Sequence, residues 1–246
     1  MKIANMQEHT GKIIHLDQDN KFGLLKSEID SDNYYFNTIA LHGDIQLNDR
    51  VTFTIENKDE KQVITIIRRI YQNKYGMIFI PRVNRSHIHK GVEPYFPYIF
   101  EQITESDEEK IVKAFEFPSI VGKTTCVTTN ESDEIFYAIR IGRLGHTRFV
   151  LNREPINCNF ITVVLLRVPT HYLIMSSYIG NVAKPEPWDE HASPDDLEFW
   201  REHALIFGEE KIIDDSQSKT CPWVLNMPAI CKINGHENKR INEIYK

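Results

Sequence analysis

GKIIHLDQDNKFGLL (residues 11–25) decides how the first part of the chain folds. Two apolar runs, Lys12–Leu16 and one from Phe22 to Ser27, flank a cluster of Asp, Gln and Asn. Short Ile/Val/Leu/aromatic runs bounded by such residues are strands joined by a turn. Working outward, Tyr34–Asn37, Arg50–Asn57 and Gln62–Arg69 read the same way, the second with the alternation Val51-Thr-Phe-Thr-Ile55. No helical periodicity interrupts residues 10–70. Five strands in about 60 residues are what a small closed barrel requires.

The same residues carry a resemblance. GKIIHLDQDNKFGLL, followed by NYYFNTIALHGD and LNDRVTFTIE, resembles the cold-shock domain, a five-stranded OB-type barrel. Its pattern is a G-x-[IV]-K-W-F-N start, a K-G-F-G-F-I second strand and a D-V-F-V-H-F third strand. On this resemblance Phe22 stands for the first stacking Phe of the second strand, Tyr35 for the aromatic of the third and Asn37 for its His. His15 stands where the family has Trp, Leu24 where it has a second Phe, Lys21 where it has Gly and Thr38 where it has Phe. Such barrels hold single strands by stacking bases on exposed aromatics, at roughly 1–3 kcal/mol each, so a platform with about half its rings is expected to grip less tightly. Lys12, His15, Phe22, Tyr35 and Asn37 are the contacts the resemblance implies, with RNA or single-stranded DNA as partner. The acidic stretches Asp30 to Asp32 and Asp59-Glu60 equally suit a barrel that keeps the shape and serves as a protein-contact module.

The 246 residues suffice for one large or two smaller domains. We expect a barrel over 1–72, a second domain over 76–233 and a polar tail over 234–246. Hydrophobic residues at 41% and charged residues at 26% place the chain among globular proteins. The longest apolar runs fall short of the ~20 residues that span a bilayer, and residues 1–10 lack the apolar core of a signal peptide, so a cytoplasmic location is expected. Four cysteines without a CxxC pair suit a reducing compartment. A net charge of −6 excludes a surface coated in cations for non-specific nucleic-acid binding, while leaving room for a local basic groove.

After Met77-Ile-Phe-Ile-Pro81 comes the most polar loop, Arg82-Val-Asn-Arg-Ser-His-Ile-His-Lys-Gly91. Arg82, Arg85 and Lys90 suit phosphate or carboxylate recognition, and His87 and His89 exchange protons near neutral pH. Ser106-Asp-Glu-Glu109 predicts a helix N-terminus, with Ile111, Val112, Ala114 and Phe115 as its buried face. Residues 124–129 with 134–141, and 160–167 with 171–180, predict antiparallel hairpins. Ser193-Pro194-Asp-Asp196 predicts a second capped helix. The expected class is therefore α+β: an OB-type barrel followed by an α+β domain with an antiparallel sheet covered by helices.

Gly142 to Trp188 holds the remaining chemistry. Strand alternation puts His146 and Arg148 on one face, and Ser176 and Tyr178 on one face. SHIHKG, GHTRF and MSSYIG, in that order, resemble the barnase–EndoU–colicin–RelE group of small metal-independent ribonucleases. The resemblance implies cleavage by the RNA's own 2′-hydroxyl to leave 2′,3′-cyclic ends. His146 and His87 or His89 would then be acid and base, with Arg148, Ser176 and Tyr178 on the phosphate. His87 and His89 lack a third ligand nearby, and the spacing of Cys221, Cys231 and His236 matches no standard zinc finger, so no metal and no cofactor is expected. Two other functions fit the residues: a non-catalytic single-strand binder or regulator, and an enzyme acting on a small phosphorylated or nucleotide ligand. Oligomeric state is not readable.

Overall fold

The computed structural model describes residues 8–58, 61–82, 87–89, 91–208 and 211–223. Arg85, Lys90, Asp59-Glu60, Cys231, His236 and the expected tail 234–246 lie outside them. Strand accounts for 48% and helix for 12%, in four sheets of which none closes into a barrel. The expected α+β class, with a closed five-stranded barrel and a helix-covered sheet, is therefore corrected to a mostly β architecture.

The strands are β1 (Glu8–Asp17), β2 (Phe22–Ser27), β3 (Asn33–Asn37), β4 (Leu41–His42), β5 (Arg50–Lys58), β6 (Lys61–Arg69), β7 (Tyr71–Gln72), β8 (Ile78–Pro81) and β9 (His87–Ile88). They continue as β10 (Lys110–Glu116), β11 (Gly122–Thr124), β12 (Cys126–Thr128), β13 (Ile135–Ile139), β14 (His146–Val150), β15 (Ile156–Cys158), β16 (Phe160–Val168), β17 (His171–Ile179) and β18 (His203–Ile206). The two α-helices are α1 (Phe96–Glu101) and α2 (Pro194–Glu202).

The first sheet runs β3-β2-β1-β5-β6-β4 and buries Ile13, Leu25, Phe36, Val51, Phe53 and Ile67. It ends open because the chain leaves β3 through a 3-10 turn, Thr38–Ala40, whose cap Asn37 accepts from the Ile39 amide at 2.9 Å. An Asx cap turns the backbone away from extended geometry, so the ladder stops there. The chain then enters the two-residue β4, which pairs parallel with β6. Alternation also misreads β5: Thr52 and Thr54 are buried along with Val51 and Phe53. Thr54 meets its hydroxyl need at Thr65, 3.0 Å away.

Gly23 lies on the inward face of β2. A Cβ there would sit 2.2 Å from Cζ of Phe36. Gly23→Ala must displace a buried ring, and overpacking of that kind costs about 1–3 kcal/mol. Urea denaturation should show a lower midpoint with an unchanged slope; an unshifted midpoint would mean Phe36 gives way freely.

The second sheet runs β10-β16-β17-β8-β7, with β9 also on β17. β8 and β9 pair parallel with β17, which corrects the expected antiparallel sheet. The parallel partners come from about ninety positions earlier in the chain, beyond any local hairpin rule. Phe96, Ile99 and Phe100 of α1 are buried, and Phe100 stacks on Phe79 with ring centroids 4.2 Å apart. The helix expected from Ser106 is instead a turn followed by β10. The Ser106 hydroxyl accepts from the Glu108 amide, and Arg167 holds the Ser106 carbonyl while its own amide donates to the Glu109 carbonyl. These long-range bonds draw the segment into the ladder against β16, and tertiary pairing overrides local propensity.

The remaining sheets are the pair β11-β15 and the four-stranded β12-β18-β14-β13. β12 pairs with β18, not with β13 as expected; β13 pairs with β14 across the turn at 140–145. The Ser193–Asp196 capping box opens α2, and Trp200 is buried, its indole N–H donating to the Pro185 carbonyl at 2.9 Å.

The contacts divide the chain into two units. One takes the residues up to Phe115 together with Ile161–Tyr178; the other takes Glu116–Phe160 and the residues from Ile179 on. The domain step expected at 72–76 falls inside the first unit. Among the described residues no helix is long and apolar enough to cross a membrane.

Candidate nucleic-acid interface

Antiparallel pairing of β1, β2 and β3 sets nine side chains of the first sheet in three rows. The registers give Lys12, Lys26 and Asn33; then His15, Leu24 and Tyr35; then Asp17, Phe22 and Asn37. Residues directly opposite in a ladder share a face. The face is the outer one, since the intervening Ile13, Gly23, Leu25 and Phe36 are buried. A bulge between Ile13 and His15 keeps His15 on this face despite the odd count from Lys12 to His15.

Aromatic area is concentrated in two rows. Tyr35 is 74% exposed and Phe22 38%, and the His15 ring lies 5.3 Å from Phe22, tilted by 32°. Leu24 stands between His15 and Tyr35 in its row, half-buried. Two lysines, Lys12 and Lys26, stand side by side at one end. No ion pair holds either among the described residues, whereas the neighbouring Arg50 is taken by Glu28 through Nε at 2.9 Å and Arg68 by Glu8. At the other end Asp17 accepts from the Asn20 side chain and amide, both at 2.9 Å, and these bonds hold its carboxyl below the usual carboxylate range. Asp30 is lowered likewise, by the Tyr34 hydroxyl at 2.8 Å. An open groove lined by His15, Asp17, Asp19, Gln46 and Leu47 adjoins the Asp17 edge.

Lys26 and Asp17 were missed from sequence, although stepping by two from Phe22 reaches Lys26, and pairing across the 17–22 turn reaches Asp17.

The remaining candidates fall into two places. In the first unit, β9 lies parallel to β17 with His87 opposite Ser176, and the His89 amide donates to the Ser177 carbonyl at 2.8 Å. His87 and, just past the end of β9, His89 are thus brought alongside the strand that carries Ser176 and Tyr178. Ser176 and Tyr178 are half-buried, and Ser177 between them is fully buried, its hydroxyl without a hydrogen-bond partner among the described residues. Arg82 is exposed, and its amide bonds the Ile174 carbonyl.

His146 and Arg148 belong to the second unit and share a face of β14. His146 Nε2 donates to the Ser216 carbonyl at 2.9 Å. Arg148 donates to the carbonyls of Trp200, Arg201 and His203, at the C-terminal end of α2. Both side chains are thereby engaged with backbone.

Burial pushes the His146 pKa below 6.5, more than the Ser216 carbonyl raises it, and burial lowers that of His171 too. The unfolded chain therefore takes up protons first on acidification. The stability these neutral histidines contribute is complete above the unfolded value and is lost as pH falls through the folded ones. The melting temperature should hold near pH 7–8 and drop from about pH 6.5 downward, with a shallower drop in His146→Gln. A melting temperature that rises on acidification would contradict this.

No family model matches the chain, and no curated protein matches it. Among solved structures, apo-CusF residues 6–88 from Escherichia coli is similar over 28% of this chain and 94% of its own, at 16% identity and a TM-score of 0.23. Drosophila Unr CSD456 is similar over 74% of this chain and 65% of its own, at 11% identity and a TM-score of 0.24. At such scores neither likeness assigns a fold or a function, and the interface stands on the residues that build it.

Proposed function

We propose that the chain binds single-stranded nucleic acid, RNA or DNA, across the outer face of β1, β2 and β3. The observation that carries this is the grid of exposed Tyr35, Phe22 and His15 beside the exposed lysines Lys12 and Lys26. Rings lying flush on a sheet stack on unpaired bases, whose faces a duplex hides, and the lysines take the phosphates. The net charge of −6 keeps the attraction local to this face. Strand cleavage is left out of the proposal, because the bonds of His146 and Arg148 run to backbone carbonyls.

The test is fluorescence anisotropy with a labelled hexanucleotide and with the same sequence as a duplex, over a salt series. The single strand should bind and the duplex should not. Two phosphate contacts predict a slope of log K against log salt of about −1.4. Equal binding of the duplex, or no binding of the single strand, would defeat the proposal.

A further inference from the structure

The row Asp17, Phe22, Asn37 places a carboxylate acceptor on one side of a stacking ring and an amide donor on the other. Resting on the single-strand reading above, we propose that this position selects guanine.

Asp17 and Asn37 are the direct cross-strand partners of Phe22. Neighbouring strands lie about 4.8 Å apart, so a base stacked on the ring has opposite edges over the two polar side chains. The Asn37 oxygen accepts from the Ile39 amide at 2.9 Å, which fixes the amide's orientation, and the exposed residue offers its NH2 as a donor. Asp17 is ionised. Each of its oxygens accepts one bond from Asn20, and a carboxylate has about four acceptor positions, so one remains on each oxygen. The groove on its outer side leaves that edge open to a ligand.

Guanine answers both partners. Its Watson–Crick edge carries two adjacent donors, N1–H and N2–H2, which match the two oxygens of a carboxylate. N7, across the ring from the N2 amino group, is an acceptor and matches an amide NH2. Adenine and cytosine present the carboxylate with one amino group beside a ring nitrogen that repels it. Uracil presents a single N3–H between two carbonyls. The row therefore favours guanine over all three.

The experiment uses the full chain and labelled RNA hexamers of uridine with one central G, A, C, inosine or U. The G hexamer should bind about tenfold tighter than the all-U hexamer, the low end for a bidentate base contact. Inosine, which lacks the N2 amino group, should lose most of that advantage. Asp17→Asn should erase the guanine preference, bringing the G hexamer to the affinity of the all-U hexamer. The inosine comparison needs no variant, so it stands even if Asp17→Asn disturbs the 17–20 turn. Equal binding of all hexamers, or preference for another base, overturns the guanine assignment and leaves single-strand binding intact. Failure of every hexamer to bind overturns both.

Discussion

Phe22→Ala combined with Tyr35→Ala is expected to weaken single-strand binding by at least about thirtyfold, since each stacked base contributes roughly 1–3 kcal/mol. The two rings are the largest exposed aromatic surfaces in their rows, and they sit on neighbouring strands. Removing one leaves the His15 ring or Leu24 as a partial floor; removing both leaves no adjacent pair of rings on the face. Neither ring belongs to the buried cluster around Phe53 and Phe36, so the thermal transition should stay within the small range of exposed substitutions. Affinity and stability thereby separate. Anisotropy gives the first and scanning calorimetry the second. Unchanged affinity in the double variant would move binding off this face altogether. A fall in both would mean that the rings support the sheet, and binding would then have to be tested through Lys12→Ala with Lys26→Ala.

How much of this was visible in the sequence differs from element to element. The strands of the first sheet were, because Phe22 to Ser27 and Tyr34 to Asn37 are short, apolar and bounded by turn residues. Phe22, Tyr35, Asn37 and Lys12 were named there through the resemblance to the cold-shock domain that those strands carry. The open edge was not visible: it depends on the Asn37 side chain reaching the Ile39 amide, and the same residue continues a strand as readily as it caps a turn. Ser106 failed for a related reason. A Ser followed by acids is a good helix start in isolation, and the bonds from Arg167 that make it a strand entry come from sixty positions away. For His146 and Arg148 the alternation correctly put both on one face of β14. Their partners, Ser216 and the end of α2, lie some fifty to seventy residues on, where no local pattern announces them. The histidine of a catalytic pair and the histidine of a backbone bond look alike until those partners are in place.

Arg148 provides the sharpest test of that difference. Its Nη1 reaches the Trp200 carbonyl at 3.1 Å and the His203 carbonyl at 3.3 Å, and also bonds the Arg201 carbonyl. The last carbonyls of a helix have no intrahelical donor, and a cation placed there both satisfies them and opposes the negative end of the helix dipole. Each hydrogen bond to a charged group is worth about 1.5–3 kcal/mol, and buried carbonyls left without a donor add their desolvation cost. Arg148→Met keeps the stem and removes the donor. It should destabilise the second unit by about 3 kcal/mol, a fall of roughly 10 °C in its transition. Arg148→Lys should recover part of the loss, since one ammonium keeps the charge without the planar fork. Single-strand affinity should be unaffected in both, because Arg148 lies in the second unit while Phe22 and Tyr35 lie in the first. If Arg148→Met left the melting temperature unchanged and instead abolished an RNA-cleaving activity, the helix-capping role would be wrong and the guanidinium would belong to a phosphate.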